Sequence, residues 1–142
     1  MTDKVFVDSN IVVYAHAVND KAKHDASVVL LRETLKSTRL WISVQVLSEF
    51  YAAMRKNKYE HEKVSKLVRL LAENMNVRRL TAQTVESALT LKDKYGYSYW
   101  DSLILASALE CGCTLLFSED MQHNQIIEGT LRIRNPFSNM ES

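Results

Sequence analysis

Short apolar runs alternate with amphipathic helical stretches along this chain, and that alternation restricts its fold more than any other feature. Val5-Phe6-Val7 and Thr114-Leu115-Leu116-Phe117 are apolar almost throughout, as strands buried on both faces are. Leu40-Trp41-Ile42, an edge-like Asn76-Val77-Arg78-Arg79-Leu80 and Leu131-Arg132-Ile133 supply three more strand candidates. Asp8-Ser9-Asn10 reads as a loop, with a short helical stretch over 11–17. Helical spacing predicts a helix over 24–36 on Val28, Leu31 and Leu35. Another opens at Ser43 and runs to about Arg55 on Val46, Leu47, Phe50, Ala53 and Met54. A third covers 59–73 on Val64, Leu67, Val68 and Leu71. Thr81 caps a fourth on Val85, Ala88, Leu89 and Leu91, which runs to Lys94 and is broken by Gly96. Ser98 opens the last, Tyr99–Glu110, and Gly112 stops it. Strands alternating with helices predict an α/β sandwich around a mainly parallel sheet.

One such unit fits the length. The 142 residues are 46% hydrophobic with one Pro and three Gly, enough for one core and too little linker for two, so a single domain over 1–142 is expected. Disorder is excluded, and no apolar run approaches the roughly 18 residues of a membrane span. Met1-Thr2-Asp3-Lys4 shows no basic segment leading into an apolar one, so a cytoplasmic location is expected. Cys111 and Cys113 are too close for a comfortable disulfide and lack a second pair or a His for zinc, so they read as buried thiols. The net charge of +1 argues against a uniformly basic nucleic-acid binder. It conceals a segregation, since residues 55–79 carry eight Lys/Arg against three Glu. Such a run is a solvated helix face or a phosphate-contacting one.

Four acids bear on chemistry. In an open parallel sheet, functional groups gather beyond the carboxyl ends of the strands, where Asp8 and Asp120 both fall. Each is also suited to an Asx-turn. Glu49 flanks the stripe of Val46, Phe50, Ala53 and Met54, where a carboxylate is costly unless it is paired, ligated or snorkelling. Asp101 stands at a capping-box spacing from Ser98, yet shares a face with Ile104, Leu105 and Ala108. Four carboxylates aimed at one rim repel one another unless a cation lies among them. Oxygen-only ligation selects Mg²⁺ or Mn²⁺, which points to metal-dependent phosphodiester hydrolysis.

The order of these segments resembles the PIN-domain nucleases, and among them the VapC-type toxins of toxin–antitoxin pairs. The resemblance rests on Val5-Phe6-Val7-Asp8-Ser9-Asn10, Ser43-Val44-Gln45-Val46-Leu47-Ser48-Glu49-Phe50, Tyr99-Trp100-Asp101-Ser102 and Ser118-Glu119-Asp120-Met121. It extends from Lys4 to about Phe137, and the ordered set of four, rather than any one motif, is specific. It implies a PIN-like three-layer α/β/α sandwich. It also implies a Mg²⁺-dependent endoribonuclease (with Mn²⁺ able to substitute), homodimeric and inhibited by a small antitoxin that inserts a basic side chain among the carboxylates. Asp8 and Asp101 would be the principal metal ligands, and Glu49 and Asp120 would complete the acidic pocket, with Glu49 orienting or deprotonating the attacking water. Asn10 and Ser118 would be the supporting polar groups, and Asp120 is preferred to its neighbour Glu119. The helix over 59–73 would be part of a partner surface or ordinary core.

Other readings remain. A housekeeping PIN nuclease would share the whole pattern without a partner, and a non-catalytic RNA-binding module would use the cation structurally. A haloacid-dehalogenase-type phosphoaspartate enzyme requires an acid where this chain has Asn10. A receiver domain requires a lysine at the late strand end, where Ser118 stands.

Overall fold

A computed structural model of the chain describes residues 4–36 and 39–140. Met1-Thr2-Asp3, read above for a leader, and the final residues of the expected 1–142 domain lie outside them. The elements run β1 (Val5–Val7), α1 (Ser9–His16), α2 (Lys21–Lys36), β2 (Leu40–Ser43), α3 (Val44–Lys56) and α4 (His61–Asn74). They continue with β3 (Asn76–Arg78), α5 (Ala82–Tyr95), α6 (Tyr99–Glu110), β4 (Leu115–Phe117), β5 (Ile126–Ile127) and β6 (Leu131–Arg134).

The six strands form one sheet in the order β3-β2-β1-β4-β6-β5. All pairs are parallel except β5 with β6. Helices α2, α1, α3 and α4 pack in succession as one layer, and α5 with α6 forms the other, so the α/β sandwich with a mainly parallel sheet is the fold observed. Val5, Phe6 and Val7 are all buried, because a central strand between two helical layers has no solvent face. The chain builds β2 and β3 on one side of β1, then crosses to place β4 on the other. That reversal opens a crevice at the carboxyl ends of β1 and β4, the topological switch point where open α/β sheets bind ligands.

Several local expectations shift. No loop follows β1: the Asp8 side chain accepts from the Ser9 N–H and caps a helix that already includes Ser9 and Asn10. A short polar side chain at a strand end captures free helix N–H groups as readily as it makes a turn. Helix α2 begins earlier than expected, at Lys21, and α4 later, at His61. Along α5 only Ala88 and Leu91 of the expected stripe are buried, while Val85 and Leu89 face outward. Strand β5 escaped notice because two residues carry no periodicity; only its pairing with β6 defines it. The caps at Ser43, Thr81 and Ser98, the left-handed Gly96 that ends α5 and the left-handed Gly112 after α6 stand where the sequence puts them. Cys111 and Cys113 are free and buried. Among the described residues no helix is long and apolar enough to cross a membrane.

Helix α3 is anchored by Phe50, which is fully buried and meets the His16 ring edge-on at 5.3 Å. Phe50→Ala is expected to lower unfolding stability by about 3–5 kcal/mol in urea titrations. Val18→Ser, at a side chain 62% exposed between α1 and α2, is expected to change it by less than about 0.5 kcal/mol.

Candidate metal centre

Asp8 forms the floor of the crevice. The β1–β4 ladder extends past Val7 through Asp8 N–H to the Phe117 carbonyl (2.9 Å), which brings the Asp8 carboxylate against the residue after β4. Ser118, fully buried, donates its hydroxyl to Asp8 Oδ2 at 2.7 Å, and Ser9 N–H donates to Oδ1 at 2.7 Å. The same Ser118 oxygen accepts from Asp120 N–H (3.2 Å), which sets the turn carrying Asp120. Asn10 reaches across from α1 and donates to Asp120 Oδ2 at 2.9 Å, while its own oxygen accepts from Glu119 N–H at 3.3 Å.

Asp101 enters from α6. Ser98 Oγ accepts from Asp101 N–H (3.1 Å), so the serine caps the helix. The Ser98 side chain also bonds to the Asp101 carboxylate and pulls its proton affinity down, yet among the described residues no bond from the Ser98 backbone N–H to that acid completes a capping box. The carboxylate is aimed at its fellow acids. One carboxylate oxygen from each of Asp8, Asp101 and Asp120 lies within 4.8 Å of the others.

Glu49 stands beside this triad and outside the 4.8 Å group. Ser9 Oγ donates to its Oε1 at 3.0 Å and Gln45 Nε2 to its Oε2 at 3.1 Å. Gln45 Nε2 also donates to the Trp100 carbonyl (3.1 Å), tying α3 to the start of α6. Ser9 and Gln45 are the positioning residues that sequence reasoning missed. Gln45 carries a signal, one helical turn before Glu49, and Ser9 carries one in adjoining Asp8, but their contacts depend on how α1, α3 and α6 meet. Glu119 turns away. It accepts from the Tyr14 hydroxyl (2.7 Å) and pairs with Lys23, whose ammonium lies over the Tyr14 and Phe137 rings at 5.2 and 5.4 Å. Most of the basic residues of 55–79 are exposed, with Lys63, Lys66 and Arg69 on α4, while Arg78 pairs with Glu110 at 3.7 Å.

The electrostatics follow from this packing. Burial pushes the Asp8 carboxyl up to about 7, against the pull of its Ser118 and Ser9 hydrogen bonds and with help from the charges of Glu49 and Asp101. Asp101 is raised in the same direction by burial, then by Asp120 and Glu49. No Lys or Arg pairs with Asp8, Glu49, Asp101 or Asp120 among the described residues. The donor set is all oxygen, it is short of positive charge, and its charges raise the proton affinity of Asp8 and Asp101. Those are the properties of a site suited to a hard divalent cation.

In chelator, the folded chain holds a proton on Asp8 between about pH 4 and pH 7 that the unfolded chain, with its ordinary value of 3.8, has released. Stability therefore falls as pH rises through that window and levels above it. Asp8→Asn removes the titration. Its melting temperature minus that of the wild type is expected to grow from pH 5 to pH 8 in EDTA; a difference independent of pH would refute the assignment.

Comparison with known proteins agrees with the fold. The PIN domain family profile matches residues 5–128, and no curated protein sequence gives a significant match. Among solved structures, Mycobacterium tuberculosis VapC20, described as a sarcin-ricin loop cleaving toxin, is 22% identical with a TM-score of 0.62, over 82% of this chain and 92% of that one. VapBC2 from Rickettsia felis, bound to a DNA fragment from its promoter, is 23% identical with a TM-score of 0.68, over 92% and 97% respectively. A toxin–antitoxin complex from Klebsiella pneumoniae is 16% identical with a TM-score of 0.66, over 94% and 98%. At these identities the likeness is one of fold.

Proposed function

The chain belongs to the PIN domain family, and from that premise we propose that it is a Mg²⁺-dependent endoribonuclease, the toxin of a type II toxin–antitoxin pair. The observation that carries this reading is the triad of carboxylate oxygens from Asp8, Asp101 and Asp120 within 4.8 Å at the switch point of the sheet, with no Lys or Arg paired to them among the described residues. Asp8, Asp101 and Asp120 would hold the ion, with Glu49 alongside. Mg²⁺ or Mn²⁺ bound there would supply an acidified water nucleophile and offset charge on the leaving oxygen of a phosphodiester. The chain's own groups supply order. Ser118 and Ser9 fix the Asp8 carboxylate, Asn10 fixes Asp120, and Ser9 with Gln45 orients Glu49. Glu49 is thereby the candidate to accept the proton of the attacking water.

With total RNA, cleavage is expected in Mg²⁺ or Mn²⁺ and none in EDTA. Asp8→Asn and Asp101→Asn are each expected to reduce it by roughly 100-fold or more. Ser9→Ala and Asn10→Ala, which touch the ligands rather than the ion, are expected to cost about 10–100-fold. Cleavage that survives chelation or both aspartate substitutions would sink the assignment.

The partner assignment has its own support. A groove of about 370 Å³ runs between α2 and α4, lined by Val28, Leu31, Leu35, Leu67, Leu70 and Met75. Leu70 in it is 52% exposed, leaving apolar surface of the kind an amphipathic helix fills. The small antitoxin would lie there, and the outward Val85 and Leu89 of α5 would suit a second copy in a cytoplasmic homodimer. Growth arrest on induction, relieved by co-expressing the product of a neighbouring small reading frame, would separate a toxin from a housekeeping nuclease. Leu70→Asp is expected to leave RNA cleavage intact while abolishing that relief. Relief undiminished by Leu70→Asp would move the antitoxin off the groove.

A further inference from the structure

The acidic pocket occupies the middle of the sheet's carboxyl rim, and the elements that border this rim carry three exposed side chains, Trp100, Arg134 and Arg79. Trp100, directly before Asp101 in the first turn of α6, is 61% exposed. Its backbone is fixed to the pocket, since its carbonyl accepts from the Gln45 amide that also holds Glu49. Among the described residues the indole's aromatic contact is the Tyr99 ring, edge-on at 5.0 Å. Arg134 ends β6, and its carbonyl accepts from Ser118 N–H at 3.0 Å, beside the serine that holds Asp8. Arg79 follows β3 directly.

The strand register places both arginines. Ser43 pairs with Arg78 on one flank and Phe117 with Arg134 on the other, so each arginine lies two strands from β1. At the usual strand spacing that is a lateral offset of about 10 Å to either side of β1. Both are exposed. Neither makes an ion pair or a side-chain hydrogen bond among the described residues, whereas neighbouring Arg78 is committed to Glu110. An anionic pocket repels a phosphate chain, and free cations on both flanks offset that repulsion where the chain enters and leaves. Exposed cations tracking a backbone, together with an aromatic face offered to a base, make up the chemistry of single-strand recognition. A protein seam would instead be depleted of charge around its aromatic anchor.

Resting on the nuclease reading of the pocket, we propose that Trp100 stacks on a base of single-stranded RNA next to the scissile phosphate, while Arg79 and Arg134 contact phosphates on either side. Trp100 is thus a substrate-positioning residue, with a preference for unpaired RNA because a base within a duplex has no free face to offer it.

The test uses the full chain carrying Asp8→Asn to prevent hydrolysis, with a fluorescein-labelled single-stranded 12-mer RNA read by anisotropy. Adding Trp100→Ala is expected to weaken binding about tenfold, and Trp100→Phe to retain most of it. Arg79→Ala and Arg134→Ala are each expected to flatten the slope of log affinity against log salt by about 0.7. Affinity unmoved by Trp100→Ala, or salt slopes unmoved by both arginine variants, would overturn the proposal. A change of oligomeric state in Trp100→Ala with RNA affinity unchanged would assign the indole to a subunit seam instead, and also overturn it. The two readings fail separately. A wild-type chain that binds this RNA through Trp100 yet never cleaves it removes the nuclease and keeps the platform. One that cleaves with the same KM as Trp100→Ala removes the platform and keeps the nuclease.

Discussion

The Asp8 carboxylate is the one group on which both the fold and the pocket depend. One of its oxygens caps α1 through Ser9 N–H, and the other accepts the buried hydroxyl of Ser118 across the seam between β1 and β4. A helix start and the closure of two central strands therefore share a single side chain. Burial there works against ionisation, and two neighbouring acids add to the opposition. Two good hydrogen bonds do not outweigh that cost, so near neutral pH the group is poised between protonated and charged forms. The fold keeps a group that opposes it in the absence of a cation because the same geometry aims three carboxylates at one point.

A proton and a divalent ion would compete for the same oxygens. Any divalent ion must displace the proton that burial favours, so affinity rises with pH through the neutral range. Binding in turn returns stability to the folded chain in proportion to the logarithm of ion concentration over Kd, about 2.7 kcal/mol at a hundredfold excess over Kd. Asp101 and Asp120 differ from Asp8 in exposure, being half-buried and exposed, so they add charge at lower desolvation cost. The pocket is graded from a dry floor to a wet mouth.

The strand ends were legible because a parallel sheet buried on both faces writes itself as apolar runs, and the acids stand out where those runs stop. Asp8 and Asp120 could be placed on one rim from that alone, whereas the helical face of Asp101 competed with its capping position after Ser98 and only the ordered set of four drew it in. The boundary at Asp8 was not, since capping and turning draw on the same hydrogen bond from the same residue type. Ser9 and Gln45 escaped for a different reason. The contact from Ser9 to Glu49 spans 40 residues and that from Gln45 to Trp100 spans 55, so no local pattern encodes them. Along α5, Val85 and Leu89 look like core because helical spacing marks a stripe without marking its width. Only the packing of α5 against α6 decides how much of that stripe is covered.

The separate fates of Glu119 and Asp120 explain how the pocket stays short of positive charge. Two adjacent acids leave β4, and their hydrogen bonds send them in opposite directions. Asp120 is turned toward the pocket by its N–H bond to Ser118 and by Asn10, while Glu119 is drawn to Tyr14 and Lys23. Lys23 is a long, flexible cation paired to the neighbour of Asp120, and if released it would be the natural group to neutralise the aspartates. Instead its ammonium is held by Glu119 and by the faces of Tyr14 and Phe137, a cage that combines ion pairing with cation–π attraction. By keeping this lysine occupied, Glu119 preserves the deficit of positive charge that makes the three aspartates a place for a divalent ion.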